Sequence, residues 1–249
     1  MKLAGLLSTR DYSDHWRTYH LFESLVDWTA VLDDCSRIPF KHRYDADEYL
    51  TLRRGTQWND VANRTMLMYR AYVNGCDWVL RFDDDVLPSL DLYRALRDRR
   101  LLPKPEDGES YNGVVVGLRD LWGDITQYRV DGRWAHKTYV ILMENWMCRR
   151  QVHLPDPGRR LHAAPFPPDG YEVRLKHAEN LCLYHFGSLT QQQRIQRVEK
   201  YRREDGQCQF QNDYEYLAST EGLTLNDVPV RDVDFMCRWM WTGEVAGEK

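Results

Sequence analysis

Between residues 2 and 88 short apolar runs alternate with amphipathic stretches, and this order restricts the fold more than any other feature of the chain. KLAGLL (2–7) reads as a first strand. HWRTYHLFESLV follows, with Trp16, Tyr19, Phe22 and Val26 at helical spacing. WTAVLDD (28–34) reads as a second strand. A helix is predicted from Asp60 to Val73, with Asn59 as its N-cap and Gly75 just past its end. DWVLRFDDDVLP (77–88) then supplies a third strand. A β-α-β-α-β series predicts a parallel sheet covered by helices.

The rest of the chain reads as a mixed α+β continuation of the same unit. A short helix is predicted near 89–99, strands at NGVVVGL (112–118) and TYVILM (138–143), and a turn between short strands at TQYRVDGRW (126–134). Residues 153–170 are rich in Pro and Gly and read as loop. ENLCLYHFG (179–187) reads as a strand, and Thr190 with Gln193 forms a capping-box pattern at the start of a further helix. The fold class expected is therefore α/β, a Rossmann-like, mostly parallel sheet flanked by helices with a mixed α+β C-terminal half, in one domain over residues 1–249.

Composition excludes several classes. Hydrophobic residues make up 43% and charged residues 29% of the chain, which suits a packed globule rather than a disordered segment. The net charge of −4 gives no overall attraction to nucleic acid or anionic lipid. No apolar run approaches the roughly 20 residues that span a bilayer, and the N-terminal run is too short for a signal-peptide core. The cysteines at 35, 76, 148, 182, 208 and 237 include no C-x-x-C pair, so zinc-knuckle and thioredoxin-like sites are not indicated. Reduced thiols and a cytoplasmic setting are expected.

Asp83, Asp84 and Asp85 then call for an explanation. On a strand, Asp83 and Asp85 would point to one side and Asp84 to the other. They would lie at the C-terminal end of a parallel strand, where open α/β sheets bind ligands. Converging carboxylates repel unless a cation lies between them, and hard oxygen donors suit Mg²⁺, Mn²⁺ or Ca²⁺ better than zinc. The second strand delivers Asp33 and Asp34 to the same edge.

With these residues in place, the first ninety resemble the nucleotide-binding half of a GT-A-fold glycosyltransferase, most like the family 2 group of bacterial and phage enzymes. VLDDCS (31–36) matches a second strand ending in aspartate, and WNDVANRTMLMYRAYVNGCDWVLRFDDDV (58–86) matches an arginine-bearing helix leading into the DxD motif. LCLYHFGSLTQQQRIQRVEKY (181–201) is similar to the family's closing segment, in which a histidine often completes the metal site. The resemblance implies a nucleotide-sugar half over 1–90 and an acceptor-side half over 91–249. It implies Asp83, Asp85 and His185 at a divalent cation, Mn²⁺ or Mg²⁺. Asp83 would also meet the ribose. Thr9, Arg10, Asp33, Asp34, Arg64 and Asp84 would line the nucleoside-diphosphate sugar, with UDP or GDP as the expected carrier. The activity implied is sugar transfer to an acceptor hydroxyl on a saccharide, a protein or a modified nucleobase.

Three departures stand out. STRDYS replaces the usual residues after the first strand, SRIPF replaces the extension after the second, and Val86 follows the DxD where Glu is common. No motif places a catalytic base, so Asp156, Asp169 and Glu172, in or beside the Pro/Gly-rich stretch, are the candidates. Arg194, Arg197, Lys200, Arg202 and Arg203 form a basic run read first as a solvated helix face, with approach to a phosphate or a nucleic-acid backbone as the alternative. Two rival readings follow from the same residues. DDDV fits the first motif of a haloacid-dehalogenase-type phosphatase, although two strand–helix units precede it. A non-catalytic nucleotide- or saccharide-binding module is the other.

Overall fold

The computed structural model describes residues 1–9, 16–36, 45–52, 59–104, 106, 108–148, 171–205 and 213–242. The chain divides into two compact units, interleaved along the sequence: Met1–Asp84, Ala95–Val115 and Val140–Ala178 form the first, and Asp85–Arg94, Val116–Tyr139 and Glu179–Lys249 the second.

The first unit is built on parallel pairing. Strand β1 (Leu3–Thr9) lies between β2 (Trp28–Asp33) and β4 (Trp78–Arg81), and β3 (Glu48–Thr51) extends the sheet beyond β2. All three of those contacts are parallel. Strand β8 (Thr138–Glu144) follows on the other side, antiparallel to β4. The predicted α/β class with a mostly parallel core is what the chain adopts. Strands β1 and β2 are buried along almost their whole length, which is why they read as continuous apolar runs rather than alternating ones. Helices α1 (Trp16–Glu23) and α2 (Asp60–Val73) are the connections predicted between the strands. The Asn59 side chain accepts from the Ala62 amide as the N-cap, and Gly75 takes the left-handed φ of 70° that ends the turn after α2.

A core of Leu6, Trp28, Ala30, Leu32, Leu67, Met68, Val79, Met143 and Trp146 fills the space between the sheet and α2. Phe82 stacks on Phe22 of α1 with ring centroids 4.4 Å apart, so the chain is anchored by an aromatic pair just before the three aspartates. Asn145 is fully buried at the end of β8. Its amide nitrogen donates to the carbonyls of Met68 and Cys76, and its backbone N–H donates to Asp77.

The second unit is antiparallel and aromatic. Strand β5 (Val86–Pro88) pairs with β9 (Leu175–His185), and β6 (Gly113–Trp122), β7 (Asp124–Arg129) and β10 (Leu225–Asp227) form a meander. The helices are α3 (Leu90–Arg97), α4 (Gln191–Glu204) and α5 (Val230–Thr242), with α3 running across the division. The capping box at Thr190 and Gln193 is present at the start of α4. Trp122, Trp134, Val198, Tyr214 and Leu217 form this unit's core. Arg129 is buried among them, paired through two nitrogens with Asp131 and lying over Trp122 and Trp134 at 4.6 and 5.2 Å. YRVDGRW is thus a core-and-turn element.

Among the described residues no helix is long and apolar enough to cross a membrane. Cys76, Cys182 and Cys237 are free thiols, and Cys208 lies outside the described residues. Replacing Asn145 with Ala would remove one buried hydrogen bond from each of the Met68 and Cys76 carbonyls, and a loss of about 2 kcal/mol is expected. A urea-unfolding midpoint equal to that of wild type would contradict this account of the β8 end.

Candidate functional site

The three aspartates do not lie on a strand. β4 stops at Arg81, and residues 82–85 lie off the strands, with a turn at Asp84 and Asp85 that leads into β5. The expected alternation of Asp83 and Asp85 against Asp84 is therefore corrected. Each carboxylate leaves the turn toward a different partner.

In the first unit the polar residues gather where the parallel strands end. Thr9 pairs with Asp33 across β1 and β2, and Asp33 pairs with Thr51 across β2 and β3. Leu6 pairs with Arg81, so extending that register by three residues brings Asp84 alongside Thr9. The Thr9 hydroxyl donates to Asp84 Oδ2 at 2.8 Å. Asp33 and Asp34 are both fully buried. Asp33 accepts from the Ser36 amide and the Tyr49 hydroxyl, each at 2.9 Å, and Asp34 accepts from Asn63 Nδ2 at 2.9 Å. Between them and Ser36, Cys35 takes a left-handed φ of 62°, which folds the strand end back on itself. Helix α2 contributes Arg64, which donates to Asp60 Oδ1 at 2.7 Å and to Asp83 Oδ1 at 2.9 Å. A bridge between two carboxylates holds this guanidinium in place.

In the second unit the site is centred on His185. Val86 pairs with His185 in the β5–β9 ladder, and the Phe186 amide donates to the Asp85 carbonyl at 2.8 Å. That register brings Asp85 Oδ2 within 3.0 Å of His185 Nε2. On the other side of the ring, Nδ1 lies 2.6 Å from Asp120 Oδ1. Asp120 is buried and also meets Lys137 Nζ at 3.0 Å and Arg197 Nη1 at 3.6 Å. Arg197 is held by Ser188 Oγ, and Lys137 sits 3.6 Å above the Trp134 ring.

The electrostatics follow from this packing. Burial works against a charged His185, but Asp85 and Asp120 outweigh it and raise its pKa to about 9. Burial alone would raise Asp120; His185, Lys137 and Arg197 together pull it well below the usual carboxylate range. Burial lowers Lys137, partly offset by Asp120. Tyr201 is lowered as well, because Arg197 beside it outweighs its burial.

Of the residues predicted from sequence, Thr9, Asp33, Asp34, Arg64, Asp83 and Asp84 meet in the first unit, and Asp85 meets His185 in the second. Glu172 is exposed, its backbone carbonyl bonded by Asn112 Nδ2. Arg10, Asp156 and Asp169 lie outside the described residues. Asp120 and Lys137 were not foreseen, and Arg197 was read as part of a solvated face. Two of that run's arginines instead point inward. Arg194 is buried over Trp122 at 3.9 Å and Arg197 reaches Asp120. Their spacing with Val198 and Tyr201 puts all four on one side of α4, and this pattern is visible in the sequence.

Among the described residues no group of three or more His, Cys, Asp or Glu side chains is arranged to hold a metal ion. Asp85 and His185, with the ring neutral, would offer two donors side by side. Their facing atoms are 3.0 Å apart, the spacing of adjacent ligands around an octahedral ion with bonds of about 2.1 Å. A Cβ added at Gly187 would lie 2.8 Å from both of those atoms, so the backbone passes close against the pair only because that residue is glycine. The imidazole's other nitrogen meets a carboxylate, as in metal-ligating histidines generally. The donor set fits a hard divalent cation that fills the rest of its shell with water and phosphate oxygens.

No protein-family model and no curated protein matches the chain. Among solved structures the similarities are distant. S. aureus TarS 1-349 is 15% identical over 53% of this chain and 37% of that one, with a TM-score of 0.34. S. aureus TarS is 10% identical over 87% of this chain and 41% of that one, with a TM-score of 0.44. A mycobacterial protein is 16% identical over 48% of this chain and 41% of that one, with a TM-score of 0.33. The chain thus covers only about two fifths of each of these structures. The functional reading stands on the chain's own residues.

Asn63→Ala would remove a hydrogen bond to the buried Asp34 carboxylate, with an expected loss of about 2 kcal/mol. Denaturant unfolding of this variant beside Asn59→Ala, whose lost cap is expected to lower stability by about 1 kcal/mol, checks the ranking.

Proposed function

We propose that the chain is a glycosyltransferase that moves a sugar from a nucleoside-diphosphate sugar, with UDP or GDP as carrier, to an acceptor hydroxyl. The observation that carries this reading is the Asp85–His185 pair, a partly exposed carboxylate 3.0 Å from an imidazole whose far nitrogen is fixed by buried Asp120. In this reading Asp85 and His185 hold Mn²⁺ or Mg²⁺, and Asp83 serves its shell or the donor ribose. A divalent cation of this kind supplies Lewis-acid stabilisation of a diphosphate leaving group.

The remaining roles belong to the chain's own side chains. Asp33, Asp34, Thr9 and Arg10 are assigned to the nucleoside, beside Asp84. The hydrogen bonds from Tyr49, Ser36 and Asn63 fix the two strand-end carboxylates before any ligand arrives. Arg64 is assigned to the diphosphate or donor sugar. Its bonds to Asp60 and Asp83 orient the guanidinium and limit its swing. The acceptor's base comes from Asp156, Asp169 or Glu172, whose task is to take the proton of the attacking hydroxyl. The acceptor is a saccharide, a protein or a modified nucleobase.

Calorimetric titration of UDP- and GDP-sugars with and without Mn²⁺ tests the reading. Wild type is expected to bind one of them only with the cation, and Asp85→Ala is expected to lose that binding while keeping its melting temperature. Unchanged affinity in the folded variant would overturn the cation assignment. Gly187→Ala probes the same seat sterically. It has no left-handed φ to preserve, so the variant is expected to fold and to fail in cation-dependent binding because its methyl group enters the space at the pair.

A further inference from the structure

We propose that Asp120 is a positioning residue that fixes the tautomer and aim of His185, so that the Nε2 lone pair is presented beside Asp85 to a divalent cation. The inference rests on the cation reading above and adds a residue that the sequence motifs do not reach.

Asp120 is 1% exposed, and three cationic side chains converge on it. Lys137 Nζ lies 3.0 Å from Oδ2, Arg197 Nη1 lies 3.6 Å from Oδ1, and His185 Nδ1 lies 2.6 Å from Oδ1. A carboxylate between lysine and arginine stays ionised and can only accept hydrogen bonds. Nδ1 must therefore carry the hydrogen of that 2.6 Å contact. Once the ring gives up its second hydrogen, as a metal ligand must, the lone pair falls on Nε2. With no metal bound, Nε2 faces Asp85 Oδ2 at 3.0 Å as the ion pair of a protonated ring, and a divalent cation taken in there would replace the Nε2 hydrogen. Neither anchor of Asp120 is loosely held. Arg197 is tied to Ser188 Oγ at 3.1 Å, and Lys137 is seated on Trp134. The aim of the ring is thus set from the protein interior, with Nε2 directed to the Asp85 side.

Asp120→Asn keeps the shape but reverses the bond. The amide N–H₂ would turn toward Nδ1 and donate to it, which moves the ring hydrogen to Nε2 and removes the lone pair from the seat. The expected result is about ten- to hundredfold weaker Mn²⁺ binding in the presence of UDP, followed by electron paramagnetic resonance, in a variant that still melts cooperatively. Long-range ¹H–¹⁵N correlation of His185 with Mg²⁺ and UDP is expected to show hydrogen on Nδ1 in wild type and on Nε2 in the variant. A purely structural Asp120 would change the melting temperature and leave both readouts alone. Unchanged Mn²⁺ affinity and tautomer in folded Asp120→Asn would overturn the proposal. The wild-type spectrum tests it without any variant, since hydrogen on Nε2 there would also overturn it. Failure of the underlying reading looks different. In that case wild type would bind no Mn²⁺ with UDP, or Asp85→Ala would bind it as well as wild type.

Discussion

Three consecutive carboxylates cannot share one direction without a strong mutual repulsion, and the architecture around residues 82–85 follows from relieving it. β4 ends at Arg81, and the turn sends Asp83 to Arg64, Asp84 to Thr9 and Asp85 to His185. Each partner is a cation, a hydroxyl donor or an imidazole, so each charge is met separately. Phe82 on Phe22 anchors the turn, and the β5–β9 ladder takes over directly after it.

Supporting layers make these contacts firm. Arg64 is clamped from its own helix by Asp60, one turn away. His185 is clamped by Asp120, which is itself held by Lys137 and Arg197. Paired buried charges of this kind contribute little net stability, but removing one partner strands the others. Such a network is better explained by the need to hold an imidazole in one orientation than by folding free energy.

Much of this was legible in the sequence. The β-α-β-α-β order, the bounds of α2 with its Asn59 cap, and the Thr190 capping box follow from apolar spacing and local hydrogen-bonding chemistry, which act within a few residues. The pairing of Asp85 with His185, one hundred residues apart, was reached only through family resemblance. Strands β3 and β10 are short and half-exposed, so they leave little pattern, and helix α5 was also passed over despite its inward Phe235, Met236 and Trp239. Asp120 was missed because a lone acid in the apolar strand GVVVGLRDLW gives no sign of the lysine, arginine and histidine that surround it. Those partners come from Lys137, His185 and Arg197, which no local rule links to it. Arg64 was expected to face a ligand, and its bonds to Asp60 and Asp83 arise from side-chain reach that spacing alone does not specify.

The central claim is that Asp85 and His185 together seat a divalent cation. Electron spin-echo spectroscopy of Mn²⁺ bound with UDP tests it most directly, using protein carrying ¹⁵N-labelled histidine. The account predicts one directly bound ¹⁵N on the manganese, lost when His185 is replaced by Asn. Manganese bound at the protein with no histidine nitrogen in its shell, or with a coupling that survives that replacement, would contradict it.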